Sequence, residues 1–328
     1  MIGIVDFDVA FPAERMTVER MHELSGRPVP DILAWTHCAE IPVFGDYDEA
    51  WELAADVARK VLDRAGVGTA DIGQVIMAGG GDWDYPGWSP SAKVADALGI
   101  TGAHCFEVVN FCTSSSTALQ AAVDAVSAGR VRYALVLFGE RASRAVDYTD
   151  PESVSLFNTG DCAGAVLIGS EDVRYEFLGA RMRTDPSWCD FYVGEYVDDR
   201  VVTRRRGNQL KLAKVYLDNY RVLVAETLAA LGNSAELGTS AALGTEDIAY
   251  LLINQMDRRM HERLLRALDL PDERTVFNYD RYGHMGCCDP FIALSDLDAL
   301  GRLRPGELVL LATSGVGFSW GITALRRR

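Results

Sequence analysis

The sequence predicts an α/β protein made of two similar halves, and three observations carry that expectation. Short apolar runs that end in glycine or turn residues alternate with stretches of helical spacing, the pattern of buried strands joined by helices. Two of these runs recur: Glu246 to Gln255 echoes Ala70 to Gly79, each an acidic-Ile opening to an apolar strand with a helix after it, and Gly306 to Gly315 echoes Val131 to Glu140. The chain has 328 residues, of which 48% are hydrophobic, enough for a substantial core.

Taken in order, Ile2 to Pro12 alternates like a strand, and Asp48 to Gly66 has helical spacing, an acidic first turn and a glycine stop. Asp71 to Gly80 is a short strand ending in glycines, followed by an aromatic loop from Asp82 to Pro90 and a helix over Ser91 to Leu98. Phe106 to Arg130 reads as a buried strand running into a helix rich in small residues, with Cys112 at the junction and Gly129 as the stop. Val131 to Glu140 and Cys162 to Ser170 are further buried strands, and Glu171 to Asn208 is expected to be irregular, its run Arg204-Arg205-Arg206 a solvated loop. The halves are placed at 1–170 and 171–328.

A formal net charge of −15 argues against broad nucleic-acid binding or adsorption to an anionic membrane, since both need basic surface. No basic segment followed by a long apolar run opens the chain, and no later stretch has the length to span a bilayer, so a cytoplasmic protein is expected. Seven cysteines without framework spacing suit reduced thiols. The pairs His37-Cys38, His104-Cys105 and Cys287-Cys288 are adjacent residues rather than spaced zinc ligands, so no metal is expected.

Taken alone, Cys112 would be read as a small buried hydrophobe. Its place changes the reading, because a strand-to-helix turn displays nucleophiles and a helix N-terminus favours a thiolate through its dipole and free N–H groups. Gly315, Gly317 and Gly321 lack the spacing of a dinucleotide loop, so a nicotinamide cofactor is not expected.

Several stretches together resemble the ketoacyl synthase III branch of the thiolase superfamily over essentially the whole chain. FEVVNFCTSSSTALQAA looks like that family's active-cysteine segment, Gly139 to Arg144 like the segment after its next strand, and Asn158 to Gly169 like its FGDGAGA motif. NYDRYGHMGCCDP and the stretch on to SGVGFSWG resemble the family's RYGN block and terminal glycine-rich turn, in the right order. The resemblance implies a thiolase fold, five-layered αβαβα, a homodimer, and an acyl group carried as a thioester on Cys112. It also implies an oxyanion hole from the backbone N–H groups of Cys112 and Gly317, and no tightly bound cofactor. The donor it implies is acyl-coenzyme A or an acyl thioester on the phosphopantetheine arm of a carrier protein, with Arg259 and Trp35 as donor-binding candidates. Trp83, Tyr85 and Trp88 could wall a pocket or simply pack.

The chain departs from the family at two positions. Asn254 stands where condensing members carry His, and His284 stands where they carry Asn. Asp289 lies five residues beyond His284, so Cys112, His284 and Asp289 resemble a subset of the family that transfers acyl groups to oxygen, nitrogen or sulfur acceptors in natural-product pathways. The expected function is therefore acyl transfer to a small-molecule acceptor: Cys112 takes the acyl group, His284 deprotonates the acceptor, Asp289 orients His284 and Asn254 assists by hydrogen bonding. A decarboxylative condensing enzyme and a catalytically silent partner subunit are the competing readings. Without the resemblance, Asp289 would be read as a cap of the helix after it.

Overall fold

The computed structural model describes residues 1–198, 200–233 and 242–328. In chain order its elements are β1 (Gly3–Ala10), β2 (Arg15–Thr17), α1 (Val18–Ser25), α2 (Val29–Thr36), β3 (Glu40–Pro42), α3 (Ala50–Ala65), β4 (Ile72–Gly79), α4 (Pro90–Leu98), β5 (His104–Val109), α5 (Ser114–Ser127), β6 (Tyr133–Glu140), β7 (Cys162–Gly169), β8 (Tyr175–Thr184), β9 (Tyr192–Val197), β10 (Arg200–Arg205), α6 (Gln209–Gly232), β11 (Ile248–Ile253), α7 (Arg258–Ala267), α8 (Asp289–Ala299), β12 (Leu308–Gly315) and β13 (Ser319–Arg327).

Nine strands share one mixed sheet in the order β11-β12-β13-β8-β1-β7-β6-β4-β5. Strand β4 is parallel to β6, which is antiparallel to β7; β11 is parallel to β12, which is antiparallel to β13. The sequence echoes thus occupy corresponding places, β11 with β4 and β12 with β6. Between the two groups, β1 meets β8 through Gly3↔Glu176 and Ile4↔Tyr175.

Burial on both faces explains why these strands read as unbroken apolar runs. In β6 the alternate residues Ala134, Val136 and Phe138 enter a central core, while Tyr133, Leu135 and Leu137 enter an outer one beneath α3 and α4. In β12, Val309 and Leu311 face the central core while Leu308, Leu310 and Ala312 face a third core beneath α6 and α7. The central core is filled by α5, which touches β4, β6 and β7 as well as β8 and β13, and by α8, which touches β1, β11 and β12. Three cores between helix, sheet, helix, sheet and helix make five layers.

The region 171–208 differs from its expected irregularity: it holds β8, which pairs with β13 along its length, and the β9–β10 hairpin. The strand period of β8 is masked by charged Arg181 and Arg183, and by Gly179 at φ +148° opposite a bulge between Ala324 and Leu325. The basic run closes β10 instead of forming a loop, with Arg204 paired to Asp150 and Glu195, and Arg206 to Glu195.

Candidate active site

Cys112 sits where β5 gives way to α5. Asn110 N–H donates to Gly79 O, which holds the strand end, and Phe111 then turns the chain at φ +49°, a conformation rare for a bulky residue. One tight turn over Phe111–Thr113 carries Cys112 into the start of α5. The β12–β13 turn presses against the same backbone: a Cβ at Gly315 would lie 3.1 Å from Cys112 N, a contact that the backbone could meet only by shifting.

His284 reaches Cys112 from the other half of the chain. Its N–H donates to Asn158 O (2.7 Å) and its carbonyl accepts from Gly160 N–H (3.0 Å), so the β7 approach and the loop before α8 hold one another. A Cβ at Gly160 would come within 2.4 Å of both Ile41 and Met285, which fixes this close approach as a glycine position. The ring then lies with Nε2 3.3 Å from Cys112 Sγ and Nδ1 2.5 Å from Asp289 Oδ2. His284 and Asp289 are 2% and 1% exposed. Burial opposes the imidazolium, but the Asp289 carboxylate and the Cys112 sulfur outweigh it and hold His284 well above its ordinary value.

Asp289 is the first residue of α8, yet its carboxylate caps nothing in that helix. Oδ2 also accepts from Gln255 N–H (2.6 Å) and Oδ1 from Met285 N–H (2.8 Å), so it turns back to the end of β11 and to the histidine loop. With a carboxylate on Nδ1, that nitrogen carries a proton and Nε2 is the nitrogen turned to sulfur. Nucleophile, imidazole and orienting carboxylate are assembled in one line.

Around them opens a cavity of about 840 Å³. Cys112 and His284 line it, as do Trp35, Arg259 and Arg263. Trp35 is 41% exposed and Arg259 is exposed, so both stand on the outer side of the cavity. Two expected site residues are placed otherwise. Asn254 is buried, its amide donating to Gly286 O (2.7 Å) and accepting from Ser314 N–H (2.8 Å), and it is not among the cavity's lining residues. Of the glycine-rich turn, Ser314, Gly315, Val316 and Phe318 reach the cavity and Gly317 does not. Trp83, Tyr85 and Trp88 also stay outside the lining, Tyr85 packing edge-on against Trp88. Sequence reasoning passed over Glu140, a carboxylate ending the apolar strand β6, which lines the cavity. Its signal was there, since a charge at the end of a strand buried on both faces needs a destination. Among the described residues no cluster of three or more His, Cys, Asp or Glu side chains is placed to hold a metal ion, and no helix is long and apolar enough to cross a membrane.

The chain matches two family models, 3-oxoacyl-[acyl-carrier-protein] synthase III over residues 106–186 and the C-terminal region of the same family over residues 239–327. It is 31% identical over 277 residues to the β-ketoacyl-[acyl-carrier-protein] synthase III of Sphingopyxis alaskensis, covering 84% of this chain and 83% of that one. Its fold is similar to the crystal structure of 3-oxoacyl-[acyl-carrier-protein] synthase III from Aquifex aeolicus, with a TM-score of 0.85 at 22% identity over 99% of this chain and 100% of that one. The priming β-ketosynthase of the R1128 polyketide biosynthetic pathway gives a TM-score of 0.84 at 20% identity, over 99% and 96% of the two chains.

Proposed function

The chain belongs to the 3-oxoacyl-[acyl-carrier-protein] synthase III family, and from that premise we propose that it transfers an acyl group from a thioester, through Cys112, to an oxygen, nitrogen or sulfur acceptor. The observation that carries this reading is the line Cys112 Sγ, His284 Nε2, His284 Nδ1, Asp289 Oδ2. A protonated Nδ1 leaves Nε2 to take a proton first from the thiol and later from the acceptor. The oxyanion of each tetrahedral intermediate takes the Cys112 N–H and a backbone N–H of the Ser314–Phe318 turn. Asn254, bound to backbone on both sides of its amide, has a scaffolding role that ties β11 to the histidine loop and to β12.

Trp35 and Arg259 receive the donor, acyl-coenzyme A or a carrier-protein phosphopantetheine thioester, both anionic. A second reading is favoured by the names of the relatives: decarboxylative condensation of the acyl group with a malonyl thioester. The exchanged Asn254 and His284 count against it, since one imidazole held by a carboxylate suits proton abstraction better than paired donation to a malonyl carbonyl.

Intact-protein mass spectrometry with a panel of acyl and malonyl thioesters tests both. A mass increment present in wild type and absent in Cys112→Ala is the expected result. His284→Ala should slow transfer to the acceptor by about 10²–10⁴-fold. Normal transfer by that variant would show the base to be misassigned, and carbon dioxide release with a product longer by two carbons would return the protein to the condensing enzymes.

A further inference from the structure

Glu140 is a cavity-lining carboxylate that the acyl-transfer reading leaves unused. It ends β6, half-buried, and lines the cavity shared with Cys112 and His284. Its Oε2 accepts from Gly80 N–H, with Gly81 N–H alongside. Its Oε1 lies 3.7 Å from where a Cβ on Gly286 would stand, two residues beyond His284. The carboxylate therefore sits between the strand end that supports the nucleophile and the loop that carries the histidine. Asp82, also in the lining, has Arg141 and Arg144 beside it, whereas the strongest charges acting on Glu140 are Asp82 and Asp161, both negative. Thr159, a lining residue that bridges to His284, has its Oγ1 buried behind the cavity wall without a hydrogen-bond partner.

We infer that Glu140 receives the acceptor, and that the acceptor is a primary amine bound as its ammonium ion. The inference rests on the acyl-transfer reading and names the acceptor class it leaves open. A half-buried carboxylate whose strongest charged neighbours are negative is costly as an anion, and an ammonium ligand supplies both an opposing charge and N–H donors for Glu140 Oε1. The anionic donor meets Arg259 at the outer side, so the two substrates are sorted by charge.

In the transfer step the ammonium first gives one proton to Glu140. The freed nitrogen lone pair forms the C–N bond at the carbonyl of the Cys112 thioester, and the second N–H proton passes to His284 Nε2. The C–S bond then breaks with its electron pair on sulfur, His284 returns the proton to Cys112, and Glu140 releases its proton to solvent. Ammonium and acyl-enzyme become amide, free thiol and one proton.

Glu140→Gln keeps the side-chain shape and an acceptor for Gly80 N–H but removes the charge. Wild type and variant, each loaded from butyryl-coenzyme A, are offered equal n-butylamine and n-butanol, and the ratio of amide to ester is read by mass spectrometry after subtracting the uncatalysed reaction. The ratio should fall about tenfold or more in the variant. A merely structural Glu140 would lower both products together, so an unchanged ratio overturns the inference. Calorimetric titration of the unloaded proteins with n-butylammonium separates the two claims. Binding that needs Glu140, in a protein that never takes the butyryl group, sustains the amine site and sinks acyl transfer. If the variant does not fold, wild type decides: the ammonium must bind more tightly than n-butanol, and equal binding refutes the site.

Discussion

Asp289 is a buried carboxylate and Glu140 a half-buried one at the cavity wall, and their partners set them apart. Asp289 takes hydrogen bonds from Gln255 N–H, Met285 N–H and the His284 ring. Burial pushes Glu140 up to about 7, with Asp82 and Asp161 adding to the rise and the Gly80 and Gly81 amides opposing it. The folded protein thus holds the Glu140 proton more tightly than the unfolded chain does. Between the ordinary value of 4.5 and about 7, unfolding releases that proton, and stability falls as pH rises across the window. The full effect is on the order of 3 kcal/mol. Glu140→Gln should therefore be more stable than wild type above this window and gain little below it, read as melting temperatures on both sides; a gap that does not change with pH would show that the carboxylate carries no buried charge. Cys112, His284 and Asp289 were reached through the family resemblance, since residue type alone left Cys112 a small buried hydrophobe and Asp289 a helix cap. Asn254 and Gly317 were read by position in a motif, and whether a group at a strand end or in a turn faces the cavity depends on neighbours distant in sequence. Glu140 went unread because a charge after an apolar run also marks an ordinary strand exit.

Among the elements, the strands buried on both faces were the easiest to read, since Tyr133–Glu140 and Leu308–Gly315 are apolar on either side of the sheet. Strand β8 was lost because its exposed end carries Arg181 and Arg183 and its middle bends at Gly179. Yet β8 is the strand that lets β1 join the two groups of strands. The join leaves no room at Gly3, where a Cβ would come 2.0 Å from Tyr175 O and 2.8 Å from Phe177 N, both backbone atoms that cannot rotate away. Gly3→Ala is expected to cost about 1–3 kcal/mol in denaturant unfolding. A loss no larger than that of an ordinary surface substitution would mean that β1 can detach from β8 without consequence.

For the whole molecule, the outer edge of β5 has no strand partner among the described residues, and Val109 at its end and Phe111 just after it, 56% and 40% exposed, stand beside the nucleophile. An open edge of this kind pairs with another strand unless charge or cover prevents it. The homodimer expected from the resemblance would place β5 against its copy, and Val109→Lys should then halve the mass found by sedimentation; an unaltered mass would put the contact on another face. The layered build has a further outcome for how the protein fails. Helices α5 and α8 lie between the two parts of the sheet, buried over their first turns and reaching solvent only toward their C-terminal ends at Asp124, Ser127 and Ala299; Cys112 immediately precedes α5 and Asp289 opens α8. The amides of their buried first turns can exchange with deuterium only when the outer layers part, so protection there should equal that of global opening. Heat will then remove the catalytic line in the same step that melts the molecule, and no partly folded, inactive form should accumulate beforehand.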